Sequence, residues 1–123
     1  MAEDTGRPRV ELSAIGLGVR LADRAPHNDV DALAATDPVT PGKGMSVAPS
    51  DPALLPPLRR PASLGGIGKH PVWEIDEAEL GPDLRFRQDT RTHGLIEPAR
   101  PMTLAEYLSA LVLTRDRWLL HVR

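Results

Sequence analysis

Gly81–Met102 reads GPDLRFRQDTRTHGLIEPARPM, and its pattern decides the fold. Leu84–Gln88 (LRFRQ) alternates, with Leu84 and Phe86 on one side and Arg85 and Arg87 on the other. That period of two belongs to a half-buried strand. A polar stretch, Asp89–His93, leads to a second short strand, Gly94–Glu97 (GLIE). Pro98 and Pro101 keep that strand short, because proline has no amide to donate to a ladder. Thr103 and Glu106 then form a T-x-x-E capping box, in which each side chain satisfies an otherwise unpaired amide of the first helical turn. Met102 and Tyr107 occupy the positions of a hydrophobic staple. Leu104, Leu108, Leu111, Trp118 and Val122 keep helical spacing on one face, interrupted by Arg115. The spacing predicts a long helix from Leu104 to Trp118 that frays beyond.

Upstream, Val72–Asp76 (VWEID) predicts a strand with Trp73 and Ile75 inward. Pro49–Leu64 carries prolines at 49, 52, 56, 57 and 61, which predicts an extended loop bordering a site. Gly65-Gly66-Ile67-Gly68 follows as a hinge or tight turn. In Thr40–Pro49, a Gly-Lys-Gly turn leads into Met45-Ser46-Val47, and alternation places Met45 and Val47 on one face and Ser46 on the other. Val10–Leu21 predicts a first strand, despite Gly16 and Gly18. Asn28 is placed to cap a short helix over Asp29–Ala35, ended by Asp37-Pro38. Met1–Arg9 predicts a flexible tail, and residues 10–123 a single domain. The class these elements predict is α+β: a small, split, mostly antiparallel sheet, a long C-terminal helix and a proline-rich loop over a cleft.

Composition agrees with a folded chain. Leu, Ile, Val and Phe make up about 24% of the 123 residues, above the roughly 20% below which chains tend to stay disordered. The net charge of −2 argues against a general nucleic-acid binder, which carries a basic excess. The absence of cysteine removes disulfides, thiol nucleophiles and cysteine metal sites together. It fits a cytosolic site of action. The polar opening MAEDTGRPRV shows no secretory signal, and no run approaches the ~18 apolar residues of a membrane span.

Several motifs fail on their chemistry. GGIGK at Gly65–Lys69 lacks a phosphate loop's outer glycine and magnesium-binding hydroxyl, since Ser63 and His70 stand there. The four histidines make no H-x-x-x-H pair, so a metal site has little support. Ser46, His93 and Glu97 would suit a small hydrolase, but GKGMSVA is not a nucleophile elbow. Arg85, Arg87, Arg91 and Arg100 form either a solvated strand face or an anion-recognising one.

Two stretches resemble a known family, the small ADP-ribosyltransferase-like cytotoxins of bacterial competition, first known as a type VI secretion effector. Gly44-Met45-Ser46-Val47 matches the family's G-T-S-V segment, with methionine in place of the threonine. PDLRFRQD at Pro82–Asp89 matches a second segment. His93, Ile96 and PARPM at Pro98–Met102 match a third, just before the last helix. The order and rough spacing agree over about residues 42–118, and the specificity lies in this succession, since each motif is short.

The resemblance implies an ADP-ribosyltransferase-like fold, NAD as substrate and a cytoplasmic acceptor. It also implies delivery into a target cell and a cognate immunity protein covering the cleft. Breaking the nicotinamide–ribose bond passes through an oxocarbenium-like state, so a site must stabilise positive charge at the ribose and hold the pyrophosphate still. A glutamate at a strand end suits the first task, and Glu97 fits by position. Ser46 would brace the ribose, with His93 as a further catalytic candidate. Arg20, Met45, Ser46 and Gln88 are the candidates for binding NAD. The alternative reading is a non-enzymatic interaction module or secretion adaptor that keeps the fold; Met45, which removes a hydroxyl from the pocket, favours it.

Overall fold

The computed structural model describes residues 1–4, 6–8, 14 and 16–123. Its described strands are β1 (Glu3–Asp4), β2 (Arg7–Pro8), β3 (Pro38–Val39), β4 (Met45–Val47), β5 (Val72–Glu74), β6 (Leu84–Gln88), β7 (Gly94–Pro98), β8 (Met102–Thr103) and β9 (Leu119–Val122). The described α-helix is α1 (Leu104–Val112). All pairings are antiparallel: β4-β7-β6 form a three-stranded sheet, and β1-β2, β3-β8 and β5-β9 form two-stranded pairs. This is the small α+β architecture the sequence predicts.

The hairpin at the centre forms as its alternation dictates. Leu84 faces Pro98, Phe86 faces Ile96 and Gln88 faces Gly94. β7 is buried throughout, as the middle strand of its sheet. The capping box is complete: Thr103 Oγ1 accepts from the Glu106 amide at 3.2 Å, and Glu106 Oε1 accepts from the Thr103 amide at 3.1 Å. Leu104, Tyr107, Ala110 and Leu111 of α1 are buried with Met45, Trp73, Leu84, Ile96, Met102 and Trp118 in one core.

Four expectations need correction. The long helix ends at Val112. Thr114 Oγ1 donates back to the Leu111 carbonyl at 2.7 Å, a 3-10 turn (Arg115–Arg117) redirects the chain, and Leu119–Val122 becomes β9 against β5. Its residues alternate between exposed and half-buried, a period of two inside an assumed period of 3.6. No helix forms over Asp29–Ala35: the Asn28 side chain donates to the Val30 carbonyl and to Asp31, and the Asp29 carboxylate is drawn into contacts with Arg20 and Ser46. The proline-rich segment is not extended but folds into three single 3-10 turns, Pro52–Leu54, Pro57–Arg59 and Ala62–Leu64. Proline opens two of them, where a missing amide costs nothing. Of the first strand expected over Val10–Leu21, positions 10–13 and 15 lie outside the described residues. Gly16–Gly18 form a turn, and Val19–Leu21 join no ladder.

The first residues, which the sequence suggests as a tail, lie against β5 and the C-terminus. The Met1 carbonyl accepts from Trp73 Nε1 at 2.8 Å, and Glu3 pairs with Arg123 at 2.6 Å. No helix among the described residues is long and apolar enough to cross a membrane.

Candidate active-site cleft

A cleft of about 630 Å³ opens beside β4, within the ~300–1,000 Å³ typical of small-molecule sites. Met45 and Ser46 of β4, Phe86 and Gln88 of β6, Trp73 of β5 and His121 of β9 contribute to its walls, and the proline-rich turns form its rim. Arg20, Asp29 and His93 also line it.

Its most organised part is built around Asp29, which is only 8% exposed. Asp29 Oδ1 accepts from Ser46 Oγ at 2.7 Å, and Oδ2 accepts from the Arg20 amide at 2.8 Å. The Arg20 Nε lies 3.6 Å from Oδ2, and this buried atom has no hydrogen-bond partner. One carboxylate therefore orients a hydroxyl and a guanidinium together, while the Arg20 side chain stays partly exposed. The backbone helps hold this geometry, since the Gly44 amide donates to the Asp29 carbonyl at 3.1 Å.

Gly44 is required by space. A Cβ there would stand 2.1 Å from the Ile96 carbonyl oxygen and 2.9 Å from the Tyr107 hydroxyl. That hydroxyl, fully buried, accepts from the Met45 amide at 2.8 Å and donates to the Ile96 carbonyl at 2.6 Å. Met45 and Ile96 are register partners in β4 and β7. Burial pushes the phenol's pKa up, so it remains a donor. The glycine and the serine of the G-x-S-V segment thus have separate duties: one lets three elements meet, the other faces Asp29.

A family model described as Tse2 ADP-ribosyltransferase toxin matches residues 1–118. The chain belongs to the Tse2 ADP-ribosyltransferase toxin family. No curated protein and no solved structure matches it. In this toxin, the residues singled out from sequence fall into two places. Arg20, Met45, Ser46, Gln88 and His93 share the cleft. Glu97 does not line it.

Glu97 is 1% exposed, and its carboxylate is fully engaged. Oε1 accepts from Arg85 Nε at 2.7 Å and Arg87 Nε at 3.1 Å, and Oε2 from the Gly42 amide. Its carboxylate is turned to Arg85 and Arg87 of the neighbouring strand and to the Gly42 turn, and so stays out of the cleft. Burial alone would raise the Glu97 pKa, but the contacts from Arg85, Gly42 and Arg87 outweigh it and hold the carboxyl below its usual range. Two of the four arginines near the central hairpin are thereby explained as its partners.

Asp29, one of the carboxylates that line the toxin's cleft, is the functional candidate that sequence reasoning missed. Its place beside Asn28 suggested a helix start, and its partners lie 9 and 17 residues away. The hydroxyl lost with methionine at position 45 does not leave the site without one, because Ser46 supplies it. Among the described residues no cluster of three or more His, Asp or Glu is arranged to hold a metal ion.

Proposed function

We propose that this Tse2-family toxin has an ADP-ribosyltransferase-like fold and uses its cleft to cleave NAD at the nicotinamide–ribose bond. It passes ADP-ribose to a cytoplasmic acceptor, or to water, inside a cell into which it is delivered. A cognate immunity protein neutralises it by covering the cleft. The observation that carries this reading is the Arg20–Asp29–Ser46 constellation on the cleft wall, in a chain of this family.

The chemistry of these groups supports it. Ser46 offers a hydroxyl to the ribose, held in place by Asp29. The solvent-exposed part of the Arg20 side chain suits a phosphate or ribose oxygen. Asp29 places negative charge next to the developing oxocarbenium ion, where preorganised electrostatics has most effect. Trp73 and Phe86 give apolar surface for flat rings. Met45 lines the same wall, and Gln88 adds an amide at the mouth. Glu97 acts from outside the cleft, fixing the Gly42 turn that feeds β4.

The test is induced expression in bacteria, together with nicotinamide release by the purified protein. Wild type should arrest growth and release nicotinamide. Ser46→Ala and Asp29→Asn should each lower release by about 10²-fold, the scale of a lost electrostatic or positioning contact. A wild-type protein that arrests growth without consuming NAD would sink the reading and favour the interaction-module alternative.

A further inference from the structure

We propose that Asp89 and His93 form a base–orienter dyad that deprotonates the incoming nucleophile, and that the acceptor chemistry of this cleft is therefore a neutral O–H group. The inference rests on the NAD reading above and adds to it the class of acceptor.

The dyad is made by the turn of the central hairpin. The amides of Asp89 and Thr90 both donate to the His93 carbonyl at 3.2 Å, closing the loop between β6 and β7. Asp89 Oδ1 then lies 2.8 Å from His93 Nδ1. Burial alone would raise the Asp89 pKa, but the hydrogen bond from His93 and the loop amides outweigh it and hold the carboxyl below its usual range. A carboxylate can only accept, so Nδ1 carries the hydrogen, and in the neutral imidazole Nε2 is left to accept a proton. His93 lines the cleft together with Gln88 and Thr92. In the β4–β7 register Ser46 faces Leu95, so His93 stands two residues further along, about 7 Å from the serine's position. A base there is one substrate group away from the constellation that would hold the ribose.

A second histidine–carboxylate pair lines the same cleft, His121 with Glu74. Its Nδ1–Oε2 separation of 3.5 Å is too long for a well-formed hydrogen bond, and it lies on the β5–β9 pair rather than beside β4. The tighter pair next to Ser46 is therefore assigned the base.

In the step, the bond between the nicotinamide nitrogen and ribose C1′ breaks, and its electron pair leaves with the ring, discharging the pyridinium. The acceptor oxygen bonds to C1′. Its proton passes to His93 Nε2 and from there to solvent, and nothing is oxidised or reduced. An imidazole is strong enough to assist an alcohol or water in the transition state but too weak to deprotonate a guanidinium. A thiolate or carboxylate would not need it. The acceptors that fit are a protein or sugar hydroxyl, and water.

The test uses the full chain with NAD, in water alone and with added serine-, arginine- or cysteine-containing peptides. Nicotinamide release and the modified peptide are measured together. His93→Ala should lower kcat by about 10²-fold with KM for NAD little changed, and added imidazole should restore part of the rate. Asp89→Asn should lower kcat in the same sense without changing KM. Product on the serine peptide identifies a hydroxyl acceptor, and ADP-ribose alone identifies water. If wild type turns over NAD while His93→Ala and Asp89→Asn keep its kcat and lose only thermal stability, the pair is a structural pin and this inference fails alone. Loss of kcat in His121→Ala but not in His93→Ala, or transfer confined to arginine or cysteine, also overturns it. A wild type that releases no nicotinamide overturns it together with the NAD reading.

Discussion

Glu97 shows at single-residue scale how a buried charge can brace the turn before a cleft strand without entering the cleft. Its carboxylate is buried with three donors, two of them guanidinium groups that are about half exposed. Its pKa in the folded chain lies below the ordinary value of 4.5. The ionised form is therefore the one that folding favours. Its contribution to stability is complete above about pH 4.5 and is lost as pH falls through the lower folded value. Glu97→Gln should cost about 2 kcal/mol at neutral pH, less than the 3–5 of a fully buried pair because both arginines can rehydrate. The difference between wild type and variant should shrink in denaturant titrations taken to progressively lower pH. A gap that stays constant with pH would mean that the carboxylate is not titrating with folding.

At the scale of elements, the joint between α1 and the three-stranded sheet is a single phenol. Tyr107→Phe removes the bridge between the Met45 amide and the Ile96 carbonyl and leaves two buried polar groups unpaired. It should cost about 2–4 kcal/mol by chemical denaturation. Nicotinamide release should fall as well, since Met45 precedes Ser46 on β4. Full activity with lost stability would separate the joint from the site. The elements that were legible in the sequence are those whose reasons are local. The alternation of β6, the short β7 and the capping box of α1 each need only a few consecutive residues. What was not legible depends on distant partners. β9 looks like the end of a helix until β5 is placed beside it, for Trp73 faces Leu120 and Val72 faces Val122 across some fifty residues. Asp29 looks like a first-turn acid of a helix capped by Asn28 until Arg20 and Ser46 approach it. Ser46 and His93 were singled out through short motifs and resemblance and Arg20 only as a basic candidate near the first strand, whereas no local signal tells that Glu97 turns to Arg85 and Arg87 and not to the cleft.

Across the whole molecule, the cleft lies among parts that are far apart in the chain: the β4-β7-β6 sheet, the β5-β9 pair and the proline-rich turns. The β5-β9 wall depends on the last strand of the chain. Leu120→Asp would set a charge beside Trp73 and should destabilise the fold by about 2–3 kcal/mol. In the fraction that remains folded, KM for NAD should rise more than kcat falls, because the wall moves while the Arg20–Asp29–Ser46 group stays. Steady-state kinetics and a thermal melt on the same preparation check both halves; an unchanged KM would show that this wall does not contact the substrate. The proline-rich rim has another character. Its two 3-10 turns, Pro52–Leu54 and Pro57–Arg59, begin with prolines whose φ angles are fixed. A molecule that settles against them meets a backbone whose conformational freedom was surrendered when the chain folded, so little of that entropy is left to lose on binding.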